Sequence, residues 1–384
     1  MKRESTKGEA IGLALVGLEV HEVRITAHAA PSSPNVAALT IEGLEDAAKR
    51  ETRIRIRSCI DLEDRRVAVN VEGVPRGAST AQLDLAIAAA VLRALWTASP
   101  VAVPSDAALV GELALDGRVR AVRGAAVMAE KCRRPLVLPF ENEWEVSLTS
   151  RSASGAIHTA KRVADLMNDR SLVRVAPRDP TTLAHLPVID RLPPTRVLFI
   201  GPPGSGKTMI ARHVTQGRKL NAATFRDVLG IYSAAGIAQG MGLALPFRAP
   251  HHTVSEAGLV GGGDRSRPGE VSLAHRGVLF LDELTEFRRS AIEALGVALR
   301  AGVSHMREAS YPAAPEFVIA AVSPCPCGRP GSGGSRACGA RACECSPAAL
   351  RSHVERIDRY ASLLGITERI TLSTLRTEDL GVTT

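Results

Sequence analysis

The sequence predicts an α/β protein in two parts, an α+β domain followed by a phosphate-loop core with a parallel sheet and flanking helices. Three observations predict this fold class. Alternating strand-like stretches and a helix-like apolar stretch are mixed through the first 168 residues. A glycine-rich loop at 201–208 stands between a buried apolar run and a helical run. A second apolar run ends in an acidic pair at 282–283, as expected where parallel strands end at one edge of a sheet.

The first domain is predicted over residues 10–168. Its strands are predicted from apolar and polar alternation or from short apolar runs: 22–27, 66–71 and 135–142. Asp116-Gly117 lies between two further runs and predicts a hairpin whose two turn positions have positive φ. Residues 79–96 predict a helix, with Ser79 or Thr80 as its N-cap.

An arginine-rich segment of this domain allows two interpretations. Arg53, Arg55 and Arg57 alternate with apolar residues. If the segment is a strand, the three arginines share one face that could attract anions. A solvated charged face is the more common outcome for such a pattern.

Composition limits the function classes that fit. The chain has 384 residues, 45% of them hydrophobic but only 3% aromatic, which argues against a nucleic-acid surface that stacks bases. A net charge of +8 permits a polyanionic partner, but Lys and Arg are spread along the chain. No stretch reaches the length of about 18 apolar residues that a membrane span needs. We expect a cytoplasmic protein with no membrane partner and no secretory signal.

The second domain is predicted over residues 195–384. It is preceded at 169–194 by a segment with five prolines and little periodicity, which predicts a linker. A buried strand at 196–200 opens the domain, and a cysteine-rich insert lies at 325–345.

The strongest motif is the loop that fits G-x-x-x-x-G-K-[ST]. Its residues are predicted to bind a nucleotide: Gly201, Pro202, Pro203, Gly204, Ser205, Gly206, Lys207 and Thr208. The glycines allow backbone N–H groups to turn toward phosphate oxygens, and the next helix directs its positive end there. Lys207 is expected to reach the β- and γ-phosphates, and the Thr208 hydroxyl is expected to bind Mg²⁺.

The acidic pair predicts the second half of the same site. Asp282 is expected to hold the Mg²⁺ shell and Glu283 to polarise the attacking water. Taken alone, the pattern fits a strand that ends in a solvated acidic turn. Beside the phosphate loop, it predicts that both groups meet at the carboxyl ends of neighbouring parallel strands.

Longer motifs carry a family resemblance. The stretches "PFRAPHHTVSEAGLVGGG" (246–263), "RPGEVSLAHRGVLFLDEL" (267–284) and "PCPCG" (324–328) resemble the magnesium-chelatase-like AAA+ ATPases of the ComM/YifB type. "VGELALDGRVRAVRG" and its neighbours resemble the Lon-protease-like domain of that family, which has a ribosomal-S5-like α+β fold. The resemblance covers nearly the whole chain.

The resemblance implies a homo-oligomeric, hexameric ring that uses ATP and Mg²⁺. ComM-type members act on single-stranded DNA as helicases that promote branch migration during natural transformation. Related chelatase subunits drive Mg²⁺ insertion into a porphyrin on a protein partner. A non-hydrolysing scaffold paralogue is the third alternative.

The resemblance also identifies departures from the family pattern. The family's Ser–Lys protease dyad aligns here with Asp84 and Ala126, while Ser79 and Lys131 are off register, so the domain is not expected to be a protease. Ser323 stands where the family has an asparagine that senses the γ-phosphate. Within 384 residues the C-terminal helical lid is not seen, and only the Pro-rich linker stands before the phosphate-loop strand. Arg369 and Arg356 are rival arginine fingers.

Three further groups remain open. The His251-His252 pair is expected in a loop near the substrate path rather than at a metal. Arg265 and Arg267 flank a Gly-rich hinge and meet either a phosphate backbone or solvent. The cysteines form two C-x-C pairs that match the family insert, which predicts a structural Zn²⁺ with reduced thiols in a loop as the alternative: Cys325, Cys327, Cys343 and Cys345, with Cys338 as an extra thiol.

Overall fold

The computed structural model describes residues 5–31, 38–96, 101–154, 156–180, 195–216, 218–263, 266–327 and 345–372. The chain forms two compact units. The first consists of Met1–Pro180, Leu229–Met241 and Asp264–Ser266, and the second of Thr181–Val228, Gly242–Gly263 and Arg267–Thr384.

The first unit is built on an eight-stranded mixed sheet. Its strands in chain order are β1 (Thr6–Val16), β2 (Glu19–Pro31), β3 (Leu39–Glu42), β4 (Arg65–Glu72), β5 (Ala108–Leu109), β6 (Glu112–Leu113), β7 (Val119–Arg120), β8 (Leu136–Pro139), β9 (Ile157–Ala160) and β10 (Val173–Arg174). The sheet order is β10-β9-β8-β5-β1-β2-β4-β3, while β6 and β7 pair separately. The helices are α1 (Asp46–Cys59), α2 (Asp84–Leu95), α3 (Ala125–Lys131) and α4 (Glu143–Ser147).

Helix α2 is the centre of this unit. Eleven of its twelve residues are buried, so it can lie only inside the core, where it packs on β1 and β2. Two glycines of β1 allow the close approach, because a Cβ on Gly8 would overlap the Ala90 carbonyl and one on Gly12 would meet Leu83. The predicted cap is wrong: a 3-10 turn precedes α2, and Thr80 makes no side-chain cap bond.

The predicted hairpin forms between β6 and β7, but with another turn. Only Gly117 has positive φ, at 81°, and its N–H bonds Ala114 O at 3.0 Å. The Ala114 N–H in turn bonds Arg118 O at 2.9 Å. This is a type I turn followed by a left-handed glycine, so Asp116 keeps an ordinary backbone conformation.

The strand interpretation of the arginine segment is wrong, because the segment lies in helix α1. Thr52 and Ile56, four residues apart, are the buried positions of this helix, as a helical period requires. Arg55 turns inward, whereas Arg53 and Arg57 are exposed.

The range predicted as a linker contains ordered structure at its start. Strand β10 lies within it and pairs antiparallel with β9. Residues 181–194 lie outside the described residues.

The second unit contains a five-stranded parallel sheet. Its strands are β11 (Thr195–Ile200), β12 (Phe247–Arg248), β13 (Gly261–Gly262), β14 (Arg267–Pro268), β15 (Val278–Leu281), β16 (Val303–His305), β17 (Ser310–Pro312), β18 (Phe317–Val322) and β19 (Glu368–Thr371). The parallel order is β12-β15-β18-β11-β19, and β13/β14 and β16/β17 form two small hairpins.

The helices with residues in this unit are α5 (Lys207–His213), α6 (Ala222–Ala235), α7 (Glu256–Val260), α8 (Glu270–Leu273), α9 (Arg289–Ala301) and α10 (Pro347–Leu364). Apolar residues of α9 and α10 pack on one face of the sheet, and those of α5 pack on the other. Strand β15 is buried at every position, and β18 at all but its first. Continuous apolar runs of this kind are typical of parallel strands covered on both faces.

The two units therefore have the predicted fold class, an α+β domain followed by a parallel α/β phosphate-loop core. Among the described residues, no helix combines the length and apolar character that crossing a bilayer requires.

Candidate functional site

The phosphate-loop motif forms a turn between β11 and α5. Gly204 and Gly206 adopt left-handed φ values of 79° and 77°, which side chains other than glycine rarely tolerate. A Cβ on Gly201 would lie only 2.7 Å from Ser205 Oγ and 2.9 Å from Leu372 O. The three glycines are therefore required by the shape of the loop itself.

Lys207 lies at the base of this loop. Its Nζ donates hydrogen bonds to Gly201 O at 2.7 Å and Pro202 O at 2.8 Å. Partial burial lowers the pKa of Lys207, and the charges of Asp282 and Glu283 partly oppose that shift. The ammonium group is thus held by exchangeable carbonyl partners within the electrostatic reach of both acids.

Thr208 and Asp282 meet across the sheet. Thr208 Oγ1 donates to Asp282 Oδ2 at 3.3 Å, and the Glu283 N–H donates to Asp282 Oδ1 at 3.0 Å. A hydroxyl and a carboxylate are the oxygen donors that Mg²⁺ prefers, with water and phosphate completing the shell. The residues present therefore fit this ion.

The predicted adjacency of the two strands is wrong. Strand β18 lies between β11, which leads into the phosphate loop, and β15, which ends at Asp282. The groups still converge, since Thr208, the last residue of the loop motif and the second of α5, bonds Asp282. Ser323 directly follows the inserted strand, which places the predicted sensor position between the two halves of the site. His353 Nε2 lies 3.0 Å from the Ser323 carbonyl oxygen.

Glu283 is held in an uncommon backbone conformation, with φ 51° and ψ 49°. Its side chain is 64% exposed, and its Oε2 lies 3.2 Å from His252 Nδ1. The His252 ring is packed on the His251 ring with centroids 4.1 Å apart. Among the described residues, His252 is the side chain paired with this exposed carboxylate, and the contact directs it.

His252 is a residue whose contact sequence reasoning missed. The pair was expected near a substrate path, and no contact with Glu283 was predicted. The signal lies in the sheet order, because the histidines follow β12 and β12 is the neighbour of β15. That order is not visible in the sequence around either residue.

Neither predicted arginine finger contacts the phosphate loop in its own chain. Arg369 Nη1 pairs with Asp358 Oδ1 at 2.7 Å, and Arg356 Nη1 donates to Thr285 O at 3.3 Å. Arg267 lies in β14, while Arg265 falls outside the described residues.

Three of the predicted zinc ligands converge. The sulfur atoms of Cys325, Cys327 and Cys345 all lie within 4.8 Å of one another, although seventeen residues separate the last two in sequence. Cys325 is buried and Cys327 is exposed. Cys343 and Cys338 lie outside the described residues.

The first unit has a different arrangement where the family's protease serine would stand. Asp84 is fully buried and accepts hydrogen bonds from Arg55 Nε at 2.6 Å, Thr52 Oγ1 at 3.0 Å and Leu113 N at 3.2 Å. Burial raises the pKa of Asp84, and Arg55 partly opposes the shift. Lys131 donates to Leu18 O instead. This arrangement holds an ion pair rather than a nucleophile and its base.

Two family models match this chain. The model described as magnesium chelatase, subunit ChlI, matches residues 194–375, and the model described as subunit ChlI of Mg-chelatase matches residues 25–142.

Curated relatives match across both units. An uncharacterized protein from Mycobacterium tuberculosis is 35% identical over 366 residues, which cover 83% of this chain and 69% of the relative. The uncharacterized protein YifB of Escherichia coli is 33% identical, and the match covers 82% of this chain and 67% of the relative. Competence protein ComM of Haemophilus influenzae is 31% identical, and the match covers 82% of this chain and 68% of the relative.

Proposed function

Because the chain belongs to the ComM/YifB family of magnesium-chelatase-like AAA+ proteins, we propose that it binds ATP with Mg²⁺ and hydrolyses it to drive movement on single-stranded DNA. The observation that carries the proposal is the contact between Thr208 and Asp282 at 3.3 Å. It joins the two predicted halves of a nucleotide site that lie 74 residues apart in sequence.

Each group of the site has a defined role in this proposal. Thr208 and Asp282 would hold a magnesium ion, which would supply positive charge beside the phosphate oxygens. Lys207 exchanges its carbonyl partners for β- and γ-phosphate oxygens and stabilises the charge that develops there. Glu283, directed by His252, accepts a hydrogen bond from the attacking water and takes its proton.

Ser323 and an arginine from another copy of the chain complete the proposed site. Ser323 lies between the phosphate loop and the acidic pair, where its hydroxyl can bond a water or a γ-phosphate oxygen, although it has fewer bonding groups than an amide. Arg369 and Arg356 are both exposed, so either can approach a neighbouring subunit's nucleotide in a homo-oligomeric ring.

The DNA assignment has two supports. One relative of the chain is named as a competence protein, and the net charge of +8 suits a phosphate backbone. The match to magnesium chelatase subunit ChlI favours one alternative, a motor that acts on a protein–porphyrin partner. The serine at position 323 favours another, a nucleotide-binding scaffold that does not hydrolyse ATP.

The test is ATP hydrolysis by the purified chain with and without single-stranded DNA. We expect DNA to stimulate turnover in the wild type, and we expect Glu283→Gln to lower kcat about 100-fold or more while nucleotide binding is retained. Hydrolysis that DNA does not change would rule out the DNA motor. Nucleotide binding without turnover in any condition would support the scaffold instead.

We also propose that the three converging thiols hold a structural Zn²⁺. Thiolates bind zinc tetrahedrally, with zinc–sulfur distances of about 2.3 Å, and Cys325 lies two residues after Ser323. Such a clip would join the end of β18 to the start of α10. Elemental analysis should find about one zinc per chain in the wild type and a loss in Cys325→Ser. A zinc-free wild type purified without chelator would refute this proposal.

A further inference from the structure

The exposed face of α1 carries three arginines at one helical stripe. Arg50, Arg53 and Arg57 are separated by three and four residues, so a helical period brings them to the same side, and all three are exposed. The first and last lie seven residues apart in sequence, or about 10 Å along the helix axis. Three long guanidinium side chains at this spacing can reach neighbouring phosphates of one nucleic-acid strand.

The other basic residues of α1 are already paired. Lys49 bonds Glu42 at 2.9 Å and Asp46 at 3.6 Å, and Arg55 bonds Asp84 and Glu51. Within the part of the chain that the structure describes, the three stripe arginines make no recorded ion pair. Asp46 lies on the same face, one turn before Arg50, and pairs with Lys49. Asp61 and Asp64 line a cavity together with Arg57, and no ion pair joins either of them to it in the described part of the chain. A positive surface therefore remains after the pairs are counted.

We infer that this arginine stripe (Arg50, Arg53 and Arg57) is a docking surface for the phosphate backbone of single-stranded nucleic acid. Guanidinium groups bond phosphate oxygens bidentately, and three of them on one face can contact a flexible single strand at several phosphates. Ile54, which is 56% exposed, is the large apolar residue beside the stripe. No aromatic side chain occurs in α1. Contacts of this kind bind the backbone without reading the bases.

The same composition disfavours a membrane as the partner. Interfacial helices carry Trp, Phe or Leu along an apolar face that enters the bilayer. The apolar residues of α1 that face the interior are used inside the first unit, where Ile56 is fully buried. A single exposed isoleucine offers little to insert.

The inference rests on the nucleic-acid part of the proposed function, and binding can be measured without ATP turnover. The test compares the full-length wild type with the triple variant Arg50→Gln, Arg53→Gln, Arg57→Gln. The matched control is Arg76→Gln, Arg120→Gln, Arg133→Gln, which removes the same charge from exposed positions of the first unit. The probe is a fluorescent thymidine oligonucleotide followed by anisotropy over a series of salt concentrations.

We expect the stripe variant to bind at least tenfold more weakly at low salt. The slope of log affinity against log salt should become shallower by about 2, because three phosphate contacts are lost at about 0.7 each. The control variant should keep the wild-type slope. Equal losses in the two variants would overturn the stripe and leave only a dependence on net charge.

Two further outcomes are decisive. If the wild type does not bind the oligonucleotide, the stripe and the DNA part of the proposed function fail together. If it binds and the stripe variant binds as well, only the stripe fails. Vesicles of 70% phosphatidylcholine and 30% phosphatidylserine test the membrane: binding to them that the stripe variant loses, with DNA binding intact, would also overturn the inference.

Discussion

Charged side chains have opposite surroundings at Asp84 in the first unit and at the phosphate-loop site in the second. Asp84 is fully buried, and its oxygens are bonded to Arg55, Thr52 and a backbone N–H. Glu283 is mostly exposed, and in the described part of the chain Lys207 bonds atoms of its own loop. A charge that is fully paired inside the core stabilises one structure, whereas groups with exchangeable partners can still bind a ligand.

Removing the Asp84 carboxylate tests whether the buried ion pair with Arg55 stabilises the first unit. Asp84→Ala leaves Arg55 without its main partner, and we expect a loss of about 3–5 kcal/mol in the free energy of unfolding. Urea denaturation of the variant and the wild type measures it.

Two controls define the origin of that loss. Asp84→Leu combined with Arg55→Met removes both charges and should recover much of the stability. Glu9→Ala, which breaks an exposed pair with Lys7, should leave the midpoint nearly unchanged. An Asp84→Ala variant with the wild-type free energy of unfolding would show that this ion pair does not stabilise the fold.

His275 is a buried titratable group that, unlike Asp84, is not paired with an opposite charge among the described residues. His275 is 6% exposed, and burial together with Arg276 lowers its pKa to about 4. Between pH 4 and 6.5 the unfolded chain binds a proton here that the native chain does not. Stability should therefore fall as pH decreases through this window, by about 3 kcal/mol from this group.

The measurement is urea denaturation at a series of pH values between 4 and 7. In His275→Gln the contribution of this group should disappear, so the curve should become flatter than that of the wild type. His305→Gln changes an exposed histidine and should keep the wild-type curve. Parallel curves for the wild type and His275→Gln would contradict the prediction.

Substitution of His252 tests the exposed phosphate-loop site, and the expected effect is smaller. Because His252 directs an exposed carboxylate, we expect His252→Ala to lower kcat for ATP about threefold to tenfold with KM unchanged, a modest part of what a base supplies. His252→Asn retains a donor and should recover part of the rate. His251→Ala is the matched control, and an equal loss in both variants would indicate a loop effect instead.

Local sequence was sufficient for elements whose cause is local. The loop at 201–208 and the acidic pair are specified by glycine positions and by the ends of apolar runs, so both could be located. The hairpin at Asp116-Gly117 was found for the same reason. Its turn type was missed, because one left-handed glycine after a type I turn also closes a hairpin.

Long-range pairing could not be read in this way. The alternation from Arg53 to Arg57 fits a strand as well as a helix over five residues, and the burial of Thr52 and Ile56 against the first unit's core decided it. The insertion of β18 between β11 and β15 is a property of the whole sheet. The contact between His252 and Glu283 depends on that sheet order, so no local pattern could predict it.

The left-handed backbone of Glu283 has an evolutionary consequence. A non-glycine residue in this region costs about 1 kcal/mol or more, and asparagine tolerates it better. Glu283→Asn should therefore melt at a slightly higher temperature than the wild type while losing turnover. If it does, drift toward greater stability at this position is opposed by selection for activity, and a lineage that stopped using ATP turnover would lose that constraint.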